Sequence, residues 1–298
     1  MTLADQTANA SEVRPGHLYV VATPIGNLGD LSPRAMQVLS QVDRICAEDT
    51  RTSTVLLSRF GISRPLQALH EHNESAVTQK LIADLQAGAS LALISDAGTP
   101  LISDPGFVLV RAARAAGVPV IAVPGPCAAI AALSIAGIAS DSFLFLGFLP
   151  AKAAARRQSL QALSAESRTM LFYESSHRIQ QTLADIAITL GQRRRLCLAR
   201  EITKRFEQSV TLPAEEMHAW LEADANRLKG EFVLVVEGAA QQSRDQADGE
   251  RLLRLLLKEL PPSRAARVAS EFTGQKRREL FALALECNGD TADQNAEE

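Results

Sequence analysis

Residues 91–106 read LALISDAGTPLISDPG. Leu91–Ser95 is an apolar run of strand length, which fits a buried strand. The next residues are small and rigid. Gly98 lets the backbone approach a ligand closely, and Pro100 and Pro105 fix the loop shape. A helical pattern resumes over Phe107–Ala116. The same strand–loop–helix rhythm recurs on either side. Leu18–Ala22 leads into TPIGNLGD (23–30), with Ser32 as a helix N-cap and Pro33 at the first helical position. Arg44–Glu48 runs into a helix near Thr52–Phe60, a helix follows over Glu74–Gln86, and Val120–Val123 leads into the turn PGPCAA (124–129). This alternation predicts an α/β domain with a mainly parallel sheet. Ligands of such domains bind at the carboxyl ends of the strands.

The rhythm breaks near Gly137–Asp141. Strands are expected at Phe143–Gly147, Thr169–Tyr173, Leu196–Arg200 and Phe232–Glu237, and helices at Lys152–Ala165 and Ile179–Leu190. These predict a second α/β domain with a mixed sheet. Polar residues 241–249 read as a linker, followed by three short helices over Arg251–Leu260, Ser263–Glu271 and Gln275–Cys287. The expected division is a loose tail (1–15), an N-terminal α/β domain (16–137), a C-terminal α/β domain (138–240), a helical module (250–287) and an acidic disordered tail (288–298).

With 298 residues, 46% hydrophobic and 22% charged, wholesale disorder is excluded. The net charge of −3 is unevenly spread: residues 150–210 carry +6 and residues 250–287 carry +3. A polyanion would meet those two segments. The four cysteines form no CxxC pair, which argues against a disulfide scaffold or a structural zinc site. No signal peptide opens the chain, so the cytoplasm is the expected compartment. Ala115–Ser140 lacks charge over a membrane-like length, but its six Gly and Pro residues favour a buried strand, turn and helix.

Several strings sit at strand ends and carry polar chemistry. Glu48, Asp49 and Arg51 close the second strand, either as a solvated ion pair or as substrate contacts. Two aspartates, Asp96 and Asp104, flank the Gly98 turn without the third carboxylate a magnesium site needs. Cys127 opens an Ala-rich helix. The string FYESSHR (172–178) holds Ser, His and Glu, yet no G-x-S-x-G elbow supports a hydrolase. The charge-dense stretch REITKRFE (200–207) either grips phosphate or forms a solvated face. No G-x-G-x-x-G and no P-loop is present.

In this order, TPIGNLGDLSPRA (23–35), EDTR (48–51), HEHNE (70–74), SDAGTPLISDPG (95–106), VPGPCA (123–128), GFLP (147–150), FYESSHR, REITKRFE and KGEFVLVVEG (229–238) resemble the tetrapyrrole-methylase superfamily of S-adenosylmethionine-dependent methyltransferases. Within it they look like the branch that methylates ribose 2′-hydroxyls of small-subunit ribosomal RNA. The resemblance implies two α/β domains with the cofactor cleft between them, plus the small C-terminal helical module. It implies S-adenosylmethionine as methyl donor, no metal, no membrane, a homodimer, and a cytidine in the decoding region of 16S rRNA as target. The cofactor is expected against Pro24, Gly98, Thr99, Leu101, Ile102, Cys127, Ala128, Phe172, Tyr173 and Ile202. Candidate bases are Glu174 and Asp49, then Glu48 and Glu201. Candidate RNA contacts are Arg51, His72, Asn73, His177, Arg178, Arg200, Lys204, Lys276 and Arg277. A methylase acting on a corrin-like tetrapyrrole is the alternative. Two departures from the family pattern are Ser176, where proline is common, and Phe281, where tyrosine is common.

Overall fold

The computed structural model describes residues 12–294. Its first sheet is built from β1 (Leu18–Val21), β2 (Arg44–Ala47), β3 (Leu66–Ala68), β4 (Leu91–Ile94) and β5 (Val120–Val123). The order is β3-β2-β4-β1-β5, with every pair parallel. Helices α1 (Pro33–Gln41), α2 (Thr50–Arg59), α3 (Glu74–Gln86) and α4 (Phe107–Ala115) connect the strands. Alternate strand residues serve opposite faces. Tyr19, Val21, Ile45 and Ile94 pack with Val38 and Leu39 of α1. Leu18, Cys46, Leu91 and Leu93 pack with Leu81 of α3 and Leu109 of α4. Both faces are buried, so the strands read as unbroken apolar runs. Ser32 does cap α1, accepting from the Ala35 N–H with Pro33 just inside.

The second sheet comprises β6 (Phe143–Phe148), β7 (Thr169–Ser175), β8 (Arg195–Arg200), β9 (Gln208–Pro213) and β10 (Glu231–Val236), in the order β6-β7-β10-β8-β9. β6 and β7 run parallel and the other pairs antiparallel, so the sheet is mixed as expected. One face, with Met170, Phe172, Leu198 and Leu234, packs on α7 (Ile179–Leu190) and α8 (Ala214–Glu222), with Leu160 of α6 (Ala153–Ala162) in the same cluster. The other face, with Leu171, Cys197, Ala199 and Val235, receives α5 (Ala128–Ile135), which follows β5. The alanines of α5 let its backbone approach the sheet closely. That buried contact explains the uncharged stretch around it. Among the described residues no helix is long and apolar enough to cross a membrane.

The structure corrects six of the expected elements. β3 and β9 were not anticipated: β3 has three residues, and β9 is a polar edge strand held by its register with β8. α8 was also missed. β7 runs two residues further than expected, because Glu174 and Ser175 pair with Phe232 and Glu231 of β10. Residues 241–249 are not a linker but the start of α9 (Gln241–Leu256). The Gln, Arg and Ala residues of this stretch are good helix formers and outweigh its Ser, Asp and Gly, so polarity alone misleads there. α9, α10 (Pro262–Thr273) and α11 (Arg277–Gln294) share a small core of Leu253, Ala265, Ala266, Ala269, Leu280 and Ala284. Gly274, at φ +74°, provides the left-handed turn between α10 and α11. α11 continues past Cys287 through Gln294, so residues 288–294 are helical rather than a disordered tail. The expectations for 1–11 and 295–298 lie outside the described residues.

Candidate active site

The loops after β1, β4 and β5 are fastened together. Thr23, fully buried, exchanges backbone hydrogen bonds with Gly98 (2.8 and 3.1 Å), and its hydroxyl donates to the Ser95 carbonyl at 3.2 Å. The Thr99 hydroxyl donates to the Pro126 carbonyl at 2.9 Å. Gly98 adopts φ +85°, and a Cβ there would sit 3.3 Å from Ile25. Beyond it, Leu101 (φ +72°) and Ser103 (φ +68°) hold left-handed conformations that cost a non-glycine residue roughly 1–2 kcal/mol. Glu74, buried, accepts from the Leu109 N–H at 2.9 Å and so caps α4 where the loop ends.

These loops face the second sheet across a cavity of about 470 Å³. Small-ligand sites commonly measure roughly 300–1,000 Å³. Gly98, Thr99, Ile102, Cys127 and Ala128 line one side, and Tyr173, Ile202, Phe232 and Val233 the other. Asp104, His177, Lys204 and Glu231 supply polar groups. The Tyr173 ring meets Phe145 and Phe148 edge-on, at 5.0 and 5.7 Å between centroids. Its hydroxyl accepts from the Ala129 N–H at 3.3 Å. Burial, then the neighbouring Cys127, pushes this phenol above its ordinary range, so it stays neutral.

Seven residues expected at the cofactor line this cavity: Gly98, Thr99, Ile102, Cys127, Ala128, Tyr173 and Ile202. Three do not. Pro24 is outside the lining, where its neighbour Ile25 stands. Leu101 packs on the apolar cluster around Leu93. Phe172 points to the opposite face of its strand and is fully buried in the core against α7, because successive strand residues alternate sides.

The expected bases meet a different arrangement. Glu174 shares the Phe172 face, and its side chain is wholly buried. Its carboxylate accepts from the Ser175 N–H (2.7 Å), Arg178 Nε (2.8 Å) and the Thr182 hydroxyl (2.7 Å). Its lone pairs are spent on bracing. Arg178 in turn donates to the Leu149 carbonyl at 3.1 Å. Asp49 is outside the cavity lining and caps α2. Its hydrogen bonds from the Arg51 side chain and backbone hold it down at about 2. Glu48 is pushed up by burial and by Asp104 and Asp96. Glu201 (φ +50°) accepts from Lys204 Nζ at 2.9 Å and from the Glu231 N–H at 3.0 Å. Burial opposes its ionisation, but these bonds win and lower its pKa.

Among expected RNA contacts, His177 and Lys204 line the cavity, with Lys204 clamped between Glu201 and Glu231 at 2.9 and 2.7 Å. Arg200 is buried and donates to the Lys229 and Phe206 carbonyls and to Gln208. It is a structural brace. Asn73 is likewise tied to the backbone of His70 and Ala68, while His72 is exposed. Arg51, Lys276 and Arg277 are exposed, Arg51 next to Asp49 and the other two on the helical module. Cavity residues missed from sequence include Asp104, Phe148 and Glu231; Asp104 lay within the loop already singled out. Among the described residues no group of three or more His, Cys, Asp or Glu side chains could hold a metal ion.

Residues 17–218 match the family model of tetrapyrrole (corrin/porphyrin) methylases. The chain belongs to this family. Residues 243–288 match a second model, the RsmI C-terminal HTH domain, over the three-helix module. The chain is 54% identical over 268 residues to ribosomal RNA small subunit methyltransferase I of Xylella fastidiosa, covering 90% of this chain and 98% of that one. It is 52% identical over 285 residues to the protein of the same name from Escherichia coli O157:H7, covering 95% and 99%. Tetrapyrrole-methylase architecture is also evident among solved structures. A uroporphyrin-III-C-methyltransferase from Thermus thermophilus aligns with TM-score 0.51 and 21% identity over 74% of this chain and 94% of that one. A diphthine synthase aligns with TM-score 0.56 and 12% identity over 77% and 93%. These last likenesses establish the fold alone.

Proposed function

We propose that this protein transfers the methyl group of S-adenosylmethionine to the ribose 2′-hydroxyl of a cytidine in the decoding region of 16S rRNA. The observation that carries this reading is identity above 50% to ribosomal RNA small subunit methyltransferases I along nearly the whole chain, helical module included. The cavity fits the cofactor. Its small-residue loops leave a cradle that a Cβ at Gly98 would crowd, and Tyr173, Phe148 and Ile202 give it an apolar wall. Cys127 offers no side-chain cap to α5, and of the first-turn N–H groups the Ala129 one is taken by the Tyr173 hydroxyl. Gly98, Thr99, Ile102, Cys127, Ala128, Tyr173 and Ile202 would hold the cofactor, which brings a methyl group already activated on a positively charged sulfur.

The protein's own task is alignment and water exclusion. The fastened loops and the neutral Tyr173 phenol keep the cavity shape fixed. Arg178, braced by Glu174, holds the Leu149 carbonyl and with it the chain leaving β6. Beside this cavity lies a second one, which shares Gly230 with it. Its rim carries Phe206, with Arg205 stacked 5.5 Å from the ring centroid, and Lys229. An exposed aromatic with adjacent cations suits an RNA strand. The basic segments and the helical module add phosphate contacts that position without reading sequence. We take the working form to be a homodimer in the cytoplasm.

The test is incubation with radiolabelled S-adenosylmethionine and small ribosomal subunits lacking this modification. Label mapped to a ribose 2′-oxygen in the decoding region is the expected result. Label that enters a tetrapyrrole but no RNA refutes the proposal.

A further inference from the structure

Three acidic residues contribute to the wall of the main cavity, Asp104, Glu174 and Glu231, although Glu174 turns its carboxylate to the opposite face of β7. Two are already neutralised by cations, Glu174 by Arg178 at 2.7 Å and Glu231 by Lys204 at 2.7 Å. Asp104 has no ion-pair partner among the described residues, and the charged side chains that act on it are of its own sign. Asp96 stands in the same loop and Glu48 at the end of β2. Across the cavity, Tyr173 is neutral, and Lys204 is committed to its two glutamates. His177 and Cys127 complete the titratable groups of the lining. The Ser95 hydroxyl is the one polar neighbour favouring the carboxylate.

The backbone holds Asp104 in this unfavourable place. Leu101 and Ser103 keep positive φ without being glycine, and Gly106 at φ +125° closes the loop where a Cβ would stand 2.7 Å from Leu93. Strained non-glycine backbone collects at functional sites, where surrounding structure over-determines it. A half-buried carboxylate, crowded by like charge and open to a ligand cavity, is what a general base for a weakly acidic hydroxyl requires. Burial, and then Asp96, raises its pKa from the ordinary aspartate value, so it is a better proton acceptor than a solvated carboxylate.

We propose that Asp104 is the general base that takes the proton from the ribose 2′-hydroxyl. This rests on the methyl-transfer reading above. The hydroxyl oxygen forms a bond to the methyl carbon as the carbon–sulfur bond breaks. The electron pair of that bond stays on sulfur, which becomes a neutral thioether. The hydroxyl proton passes to the Asp104 carboxylate and then to water, restoring the base.

The experiment compares wild type, Asp104→Asn and Asp104→Glu in single-turnover methylation of unmodified small subunits across pH, with S-adenosylhomocysteine binding followed by calorimetry. For Asp104→Asn the expected rate loss is about 10²–10⁴-fold, with S-adenosylhomocysteine affinity within about twofold of wild type. The wild-type rate should rise with pH through a carboxylate titration. Asp104→Asn should lose that limb and Asp104→Glu should keep it. Melting provides a readout independent of activity. Removing a charge repelled by Asp96 and Glu48 should leave Asp104→Asn at least as stable as wild type at pH 7. Near-wild-type turnover of Asp104→Asn would overturn the proposal. So would a rate loss matched by an equal loss of S-adenosylhomocysteine affinity, which would make Asp104 a cofactor ligand. Wild type that binds S-adenosylhomocysteine but never labels RNA refutes the methyl-transfer reading instead.

Discussion

Replacing Glu174 by glutamine separates bracing from catalysis. The wild-type carboxylate, fully buried, accepts from Arg178 Nε, the Thr182 hydroxyl and the Ser175 N–H at 2.7–2.8 Å, with Arg178 Nη2 in ion-pair contact at 2.7 Å. Bonds to a charged partner are worth about 1.5–3 kcal/mol each. Breaking a buried pair costs roughly 3–5 kcal/mol, since the remaining charge is stranded. Here Arg178 keeps its bond to the Leu149 carbonyl and is 22% exposed, so water reaches part of it. The expected cost is therefore about 2–4 kcal/mol. At about 2–4 °C per kcal/mol for a chain of this size, Tm should fall by roughly 4–16 °C. Thr182→Val, which removes one neutral donor, should cost about 1 kcal/mol. Thermal melts and single-turnover methylation well below the transition test this. The rate of Glu174→Gln should stay within about tenfold of wild type. An unchanged Tm with a rate loss of a hundredfold or more would refute the bracing role and return Glu174 to the position of base.

Gly98→Ala places a methyl group 3.3 Å from Ile25 in a backbone at φ +85°, a strain of roughly 1–2 kcal/mol. Cofactor affinity by calorimetry should weaken about 5–30-fold, and unchanged affinity would mean that this turn does not wall the ligand. Asp43 accepts from the Ser90 N–H and hydroxyl, both at 2.7 Å, and these bonds lower its pKa. Its stabilisation is present above the unfolded aspartate pKa and lost as pH falls through the lower folded value. The Tm gap between wild type and Asp43→Asn should close in that acidic window. Lys276→Ala with Arg277→Ala removes two exposed cations of the helical module. If they touch RNA phosphates, the slope of log K against log salt should flatten by about 0.7–0.9 per contact, measured by filter binding.

Much of the fold was legible because its determinants are local. Apolar runs at Leu18, Leu91 and Val120, the Ser32–Pro33 cap, and the glycine and proline punctuation each act within a few residues. Elements set by partners were not legible. β3 and β9 exist through pairing with β2 and β8, and the far end of β7 is strand because β10 lies beside it. The polar opening of α9 carries no apolar stripe to announce a helix.

The sequence alone determined the two α/β domains and the small-residue loops at the strand ends, because loop chemistry at a strand end follows from residue type; seven of the cavity-lining residues came from its resemblance to a family. It named several charged residues near the cleft, though not Asp104 or Glu231 as site residues, and could not assign their tasks. Whether a carboxylate acts as brace or base depends on which residue, distant in sequence, stands opposite it. Only tertiary contacts pair Glu174 with Thr182 and Arg178, bury Arg200 against the Lys229 and Phe206 carbonyls, and leave Asp104 facing the cavity among like charges. Partner geometry decides where lone pairs and protons go, and that geometry is a property of the folded chain.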